Sequence, residues 1–541
     1  MKFFKQIFST RLATFFVLIV AAISINTWQL VLPNFSYDNS FSIAAAKNIY
    51  DGKGYTLSTT STKDLSTTIY EPLNKWPPGY SLLLVIIKKL TRFDWVISCY
   101  ILNAIGATLL IFGLRKILLL LGLPIWSVNA YILFAGFFPY PFLSVSFTDL
   151  LAVTFFIWAI FFLMSTVVKH QRIFLYSTIA SFLLGYCSWL RYMYLSISLI
   201  PFLFLLFFAL KKNNARLIKS MALGSTMLLC FIIYMLWFQS SHSGSVVYIN
   251  PTGTGFFPEH LLHVGPLVPA SILDFKFYDM QISKALNIQY DKIINFWKLL
   301  NVFILFTGLI IMINYYKRKG LHLDTPLGIY VNLTLVISVS IFLLLAGLSL
   351  RLGYYHDQGV RFWTYVQEIR YYAVVIIFIQ HFILFLIVYG CSLFPKGLNF
   401  VKALIIALAT IGICHGFYHL SKKLFSGKEI GTNRKTEQID LLAFETANKL
   451  QKQEHNLVIY SYNYELANIA SLSGASVLYD SNSLNKKMCT SKPITLLLIL
   501  NSASLQQYQY FFSIYHPNII LKYRMPFAPD RTTNFYILKI G

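Results

Sequence analysis

Charge is what this sequence has least of: Asp, Glu, Lys and Arg make up 12% of its 541 residues, and only 21 residues are acidic. A soluble chain that is 56% hydrophobic would need a core larger than this length normally buries, so membrane solvent is the simpler explanation. Cysteine is scarce as well. Cys99, Cys187, Cys230, Cys391 and Cys414 sit in apolar segments and Cys489 stands alone in a polar tail, which excludes a disulfide framework or a CxxC site. The net charge of +24 would suit nucleic acid if the basic residues shared one face. Instead they fall in short clusters between apolar runs, the pattern of membrane topology.

Those runs include Phe15 to Leu32, Ile97 to Leu114, Leu150 to Met164, Met193 to Leu210 and Val374 to Leu393, each close to the length that crosses a bilayer. The first follows Lys2, Lys5 and Arg11 without a small-x-small cleavage site, and reads as a retained signal anchor with its N-terminus in the cytoplasm. Every second loop should then be basic. Arg115 and Lys116, Lys169 and Arg172, the group Lys211, Lys212, Arg216 and Lys219, Lys317 to Lys319, and Lys396 with Lys402 meet that condition. The expected fold is an all-α polytopic membrane protein of about eleven transmembrane helices, with the C-terminus outside. Of the thirteen Asp and Glu before residue 421, only Asp324 falls in an expected cytoplasmic loop. The long loops, about 33–93 and 239–296, are external in this scheme, and long loops are where binding and chemistry concentrate.

Beyond about residue 421 the composition becomes mixed and polar. Asn456 to Tyr460, Ala475 to Leu478, Thr495 to Leu500, Asn518 to Lys522 and Asn534 to Ile540 have the character of short strands, with a helix expected over Glu465 to Ser473. Residues 1–420 therefore form the expected transmembrane domain, with surface helices in the first external loop, and 421–541 a small extracytoplasmic α/β domain. The tail carries no Gly-rich phosphate loop.

The first external loop is the richest segment. Apolar Phe41, Ala44, Ala45 and Ile49 have helical spacing, with Gly52 and Gly54 as the stop. Asp38 stands at the start of that helix, as an N-cap or as a general base just above the membrane. The loop ends in Lys75-Trp76-Pro77-Pro78-Gly79-Tyr80, a Pro-Pro turn leading into an apolar helix.

A membrane-proximal Asp, an A-x-N-x-x-x-G-x-G-Y phrase ending at Tyr55 and a P-P-G-Y before an apolar helix resemble the first loop of the C-type glycosyltransferases. Within these the chain is similar to the superfamily of protein O-mannosyltransferases, aminoarabinose transferases and rhizobial lipopolysaccharide transferases. The likeness is specific over residues 35–85. It implies a sugar donor carried on a polyprenyl phosphate, Asp38 as catalytic base and Lys75 as a phosphate contact. Two departures stand out: Asn39 occupies a place where a second acid is frequent, and Trp76 separates Lys75 from Pro-Pro.

Asp149 begins a span at its outer end, where an N-cap and a second catalytic carboxylate compete; the family has an acid at a similar place. Arg191, Arg361 and Arg370 lie on the outer side, where the positive-inside rule disfavours them. A carrier phosphate would reward them through guanidinium forks, against the alternative of snorkelling to lipid phosphate. Arg370-Tyr371-Tyr372 resembles the family's late R-Y motif and ranks Arg370 first, then Arg191 and Arg361, with Tyr371 beside it as a donor-site residue. Glu259, His260 and His263 lack the H-E-x-x-H order and a third ligand, and His356 and Asp357 read as polar loop residues.

The expected chemistry is an inverting transfer to an extracytoplasmic hydroxyl on a glycan, lipid or protein, needing no metal or other cofactor, although distant relatives use a divalent ion. A polysaccharide polymerase or ligase using diphosphate-linked glycans is the nearest alternative. A transporter is the next, and the sequence lacks the inverted repeat, paired broken helices and mid-span charges it would need.

Overall fold

The computed structural model describes residues 10–31, 37–138, 140, 147–170, 172–243, 325–351, 369–389, 430–454, 456–480, 488–524 and 532–540, with isolated positions between. The helical part contains α1 (Arg11–Val31), α2 (Tyr37–Tyr50), α3 (Gly79–Thr91), α4 (Trp95–Leu120), α5 (Ile125–Phe137), α6 (Phe147–Lys169) and α7 (Ile173–Leu190). It continues with the short α8 (Tyr194–Ile197), α9 (Ile200–Lys211), α10 (Ala215–Ser243), α11 (Pro326–Arg351) and α12 (Ala373–Tyr389). Seven helices among the described residues are long and apolar enough to cross a membrane, and two shorter apolar helices accompany them. The expectation of about eleven spans is therefore not met within this part of the chain. The stretches beside Lys317 to Lys319 and between Lys396 and Lys402 lie outside the described residues. So do Arg361, the 239–296 loop beyond Ser243 apart from isolated positions, Glu259, His260, His263, His356 and Asp357.

The bundle is joined by small residues and interhelical hydrogen bonds, the contacts available where lipid removes the hydrophobic drive between helices. The Ser177 and Ser220 hydroxyls meet at 2.8 Å between α7 and α10, and Thr154 on α6 donates to the Gly106 carbonyl of α4 at 3.1 Å. Gly136 lies so close to Ala21 that a Cβ there would fall 2.5 Å from the Ala21 Cα. Helix direction segregates the charges. Asp149 and Lys169 stand at opposite ends of α6, about 30 Å apart at 1.5 Å per residue. Arg115, Lys116, Lys211 and Lys212 lie toward the C-terminal ends of α4 and α9, away from the first loop.

The C-terminal part comprises α13 (Ile430–Gln453), β3 (Leu457–Ser461), α14 (Tyr464–Ala470), β4 (Ser476–Val477), β5 (Ile494–Asn501), α15 (Gln509–Tyr515), β6 (Asn518–Arg524) and β7 (Thr532–Ile540). All five expected strands are present within two residues of their expected ends, and the expected helix is α14 followed by a 3-10 turn at Ser471–Ser473. The sheet does not close within this part. Two strands of the first loop, β1 (Thr56–Thr60) and β2 (Thr68–Pro72), complete a mixed seven-stranded sheet of order β2-β1-β4-β3-β5-β7-β6. β1 runs parallel to β4 with Thr59 opposite Val477, so one sheet joins the two ends of the chain.

Candidate active site

α2 forms for the reasons its sequence supplies: Phe41, Ala44 and Ala45 line its packed face, Asp38 lies in its first turn, and Gly52 and Gly54 end it with φ of +75° and +76°. It lies on α3, β1 and α14 rather than crossing the bundle. The turn after β2 is held from several sides. The Tyr55 hydroxyl donates to the Trp76 carbonyl at 2.8 Å, Tyr192 to the Asn74 carbonyl at 3.0 Å, and Tyr186 to the Gly79 carbonyl at 2.9 Å. Gly79 faces the backbone of Trp189, where a Cβ would come within 2.4 Å of a carbonyl oxygen. That close approach explains why glycine follows Pro-Pro.

Four charged side chains from distant parts of the chain converge beside this turn. Arg191, at the C-terminal end of α7, donates from Nε to Asp149 Oδ1 at 2.5 Å and from Nη2 to Oδ2 at 2.7 Å. This is the two-point fork that a planar guanidinium makes with a carboxylate. Its remaining Nη1 donates to Asp38 Oδ2 at 3.2 Å. Arg370, in the 3-10 turn Ile369–Tyr372 that leads into α12, donates from Nη1 to the same Asp38 oxygen at 3.0 Å and lies 3.9 Å from Asp149 Oδ2. Asp149, Arg191 and Arg370 are buried, at 5%, 8% and 9% exposure, and Asp38 is half-buried. Two positive and two negative charges balance, as a low-dielectric site requires.

Burial raises the Asp38 pKa, but the charges and hydrogen bonds of Arg191 and Arg370 outweigh it and hold the carboxyl below its ordinary value. Asp38 is thus not serving its helix alone: its Oδ2 is the meeting point of two guanidiniums. Asp149 likewise faces Arg191 from the first turn of α6. Lys75 is half-buried with its Nζ 4.9 Å from the Trp76 ring centre; burial lowers its pKa while the charge of Asp38 opposes that shift. Tyr371 lies under the Arg370 guanidinium at 5.2 Å.

The structure therefore gathers Asp38, Asp149, Arg191 and Arg370, places Lys75 and Tyr371 at their edge, and leaves Arg361 outside the described residues. Asn39, the departure from the resembled family's frequent second acid, is buried; the second carboxylate near Asp38 comes from Asp149. Among the described residues no three His, Cys, Asp or Glu side chains form a metal-binding group.

Sequence reading did not find the residues that hold this assembly from behind. Gln239 of α10 donates to the Asn74 carbonyl at 3.3 Å. Asn468 of α14 donates from Nδ2 to Ser40 Oγ at 3.1 Å. Neither belongs to a motif. A Gln near the end of a long apolar helix was the one visible signal.

No family model matches the chain, and no curated protein does. Among solved structures, ArnT from Cupriavidus metallidurans bound to undecaprenyl phosphate is similar over 97% of this chain and 98% of its own, at 12% identity and a TM-score of 0.46. The archaeal oligosaccharyltransferase AglB from Archaeoglobus fulgidus, in complex with an inhibitory peptide and a dolichol-phosphate, is similar over 97% of this chain and 74% of its own, at 11% identity and a TM-score of 0.43. At these values the likeness bears on neither chemistry nor ligand.

Proposed function

We propose that this protein is an integral-membrane, inverting glycosyltransferase that moves a sugar from a polyprenyl-phosphate carrier to a hydroxyl of an extracytoplasmic glycan, lipid or protein. The observation that carries this reading is the Asp38, Asp149, Arg191 and Arg370 cluster at the start of α2. It combines a carboxylate able to take a proton with two guanidiniums able to take a phosphate, at the end of the bundle away from the basic turns.

The donor is a phosphodiester with one negative charge. As the anomeric C–O bond to phosphate breaks and the bond to the acceptor oxygen forms, the departing polyprenyl phosphate gains a second negative charge. The acceptor proton passes to Asp38. Arg191 and Arg370, with Lys75 at the edge, stabilise the departing phosphate more than the bound donor, which is the condition for lowering a barrier rather than merely binding. Asp149 occupies Nε and Nη2 of Arg191, leaving Nη1 as the donor that Asp38 and a phosphate compete for. A phosphate that takes the Nη1 atoms of Arg191 and Arg370 withdraws the two cations that depress the Asp38 pKa. The carboxylate then becomes a stronger base when the donor is seated.

The test is transfer by the full chain in proteoliposomes supplied with polyprenyl-monophosphate sugars, polyprenyl-diphosphate glycans or free solute. Release of polyprenyl phosphate with inversion at the anomeric carbon is the expected result. Turnover of the diphosphate donor alone would establish the polymerase or ligase alternative, and solute uptake without transfer the transporter.

A further inference from the structure

The segment that carries Asp38 is gripped by the far end of the chain. Asn468 and Ser40 are both fully buried, and the Asn468 Nδ2 bond to Ser40 Oγ lies two residues from Asp38. Asn468 is itself oriented, its Oδ1 accepting from the Tyr479 hydroxyl. One residue on, Phe41 is stacked with Trp76 at 4.9 Å and with Tyr479 at 5.9 Å between ring centres. Trp76 is the neighbour of Lys75, so Phe41 stands between the C-terminal Tyr479 and the turn of the lysine.

The grip continues beyond α2. β1 joins the sheet beside β4. Asp64 accepts from the Ser491 amide at 3.1 Å and from its hydroxyl at 2.6 Å, and the Leu65 amide donates to the Cys489 carbonyl at 3.1 Å. A helix of 14 residues is marginal on its own, so its position must come from these contacts and from α3.

We propose that Asn468 is a positioning residue for the transfer reaction, and that the C-terminal α/β layer is a working part of the site, clamping α2 so that Asp38 stays on Arg191 and Arg370. This rests on the reading of Asp38 as the base. A misplacement of about 1 Å at a reacting group costs on the order of 10²-fold in rate, which sets the scale of the effect.

The experiment uses the full chain in proteoliposomes with a polyprenyl-monophosphate sugar, comparing Asn468→Ala, Ser40→Ala and the double variant. The expected result is a kcat lowered by about 10-fold to 10²-fold per folded molecule, donor KM within about twofold, and a double variant no worse than the poorer single. Backbone hydrogen exchange over residues 37–50 should quicken in each variant. Ser40→Ala removes one hydroxyl and keeps the test open if Asn468→Ala does not fold. An unchanged kcat with only a lowered melting temperature would overturn the proposal, as would unaltered exchange over residues 37–50. A wild-type chain without transfer would sink the proposed function, whereas the exchange measurement reports on the clamp regardless of chemistry.

Discussion

Removing one charge from a balanced set of four, three of them buried, leaves the others unbalanced, and Asp149 is a buried member of that set. It accepts both arms of the Arg191 fork, so Asp149→Ala empties that fork and leaves Asp38 as the one carboxylate of this cluster for two buried guanidiniums. Loss of one partner of a buried pair costs about 3–5 kcal/mol, to be seen as a lower melting temperature in detergent; an unchanged melt would mean that Asp38 compensates both arginines. At Asp38 the informative variable is pH. Its native pKa lies below the ordinary 3.8, so its contribution to stability is complete above that value and is lost as pH falls through the lowered native one. In kcat/KM, which reports the free enzyme, the acid limb should therefore lie below pH 3.8. In kcat, which reports the donor-bound enzyme, it should lie at higher pH, because the phosphate has taken the Nη1 donors. Coincident limbs would remove the competition between Asp38 and phosphate. At this scale the sequence was informative: Asp38 stood out by its place at a helix start and the first-loop resemblance, Asp149 by its place at the outer end of a span, and Arg191 and Arg370 as cations on the side that the positive-inside rule disfavours. Their pairing was not legible, because Asp38 and Arg370 are 332 positions apart.

Elements were legible wherever local pattern decides them. The periodic α2, its glycine stop and the five C-terminal strands follow from spacing and β-branched content. β1 and β2 did not stand out, since Thr56-Leu-Ser-Thr-Thr reads as a polar loop until its neighbour β4 is known; Thr59 pairs with Val477 from the opposite end of the chain. The Pro-Pro turn was read as an entry to α3, but its close approach to α7 was not. Gly79→Ala tests that approach. With a Cβ 2.4 Å from the Trp189 carbonyl and backbone on both sides, the turn must shift. Overpacking of this kind costs about 1–3 kcal/mol, and it moves Lys75 and Arg191 apart. The measurable outcome is weaker donor binding; wild-type affinity would show that the turn yields without moving the site.

Across the whole molecule, the first loop and the C-terminal layer are one construction, with the sheet as its seam. No composition or periodicity reveals that residues near 60 and near 477 are neighbours, which is why the two regions read as separate domains in the sequence. The bundle beneath them supplies the other half of the site through the ends of α6, α7 and α12. One carboxylate, held by two arginines, thus stands where these three parts meet. The most direct test is Asp38→Asn in the full chain, assayed in one set of vesicles for binding and for transfer of a labelled polyprenyl-phosphate sugar. The account predicts that the donor still binds, at least as tightly because Arg191 and Arg370 lose a competitor, while transfer falls by about 10²-fold to 10⁴-fold. Transfer retained at the wild-type rate would contradict it.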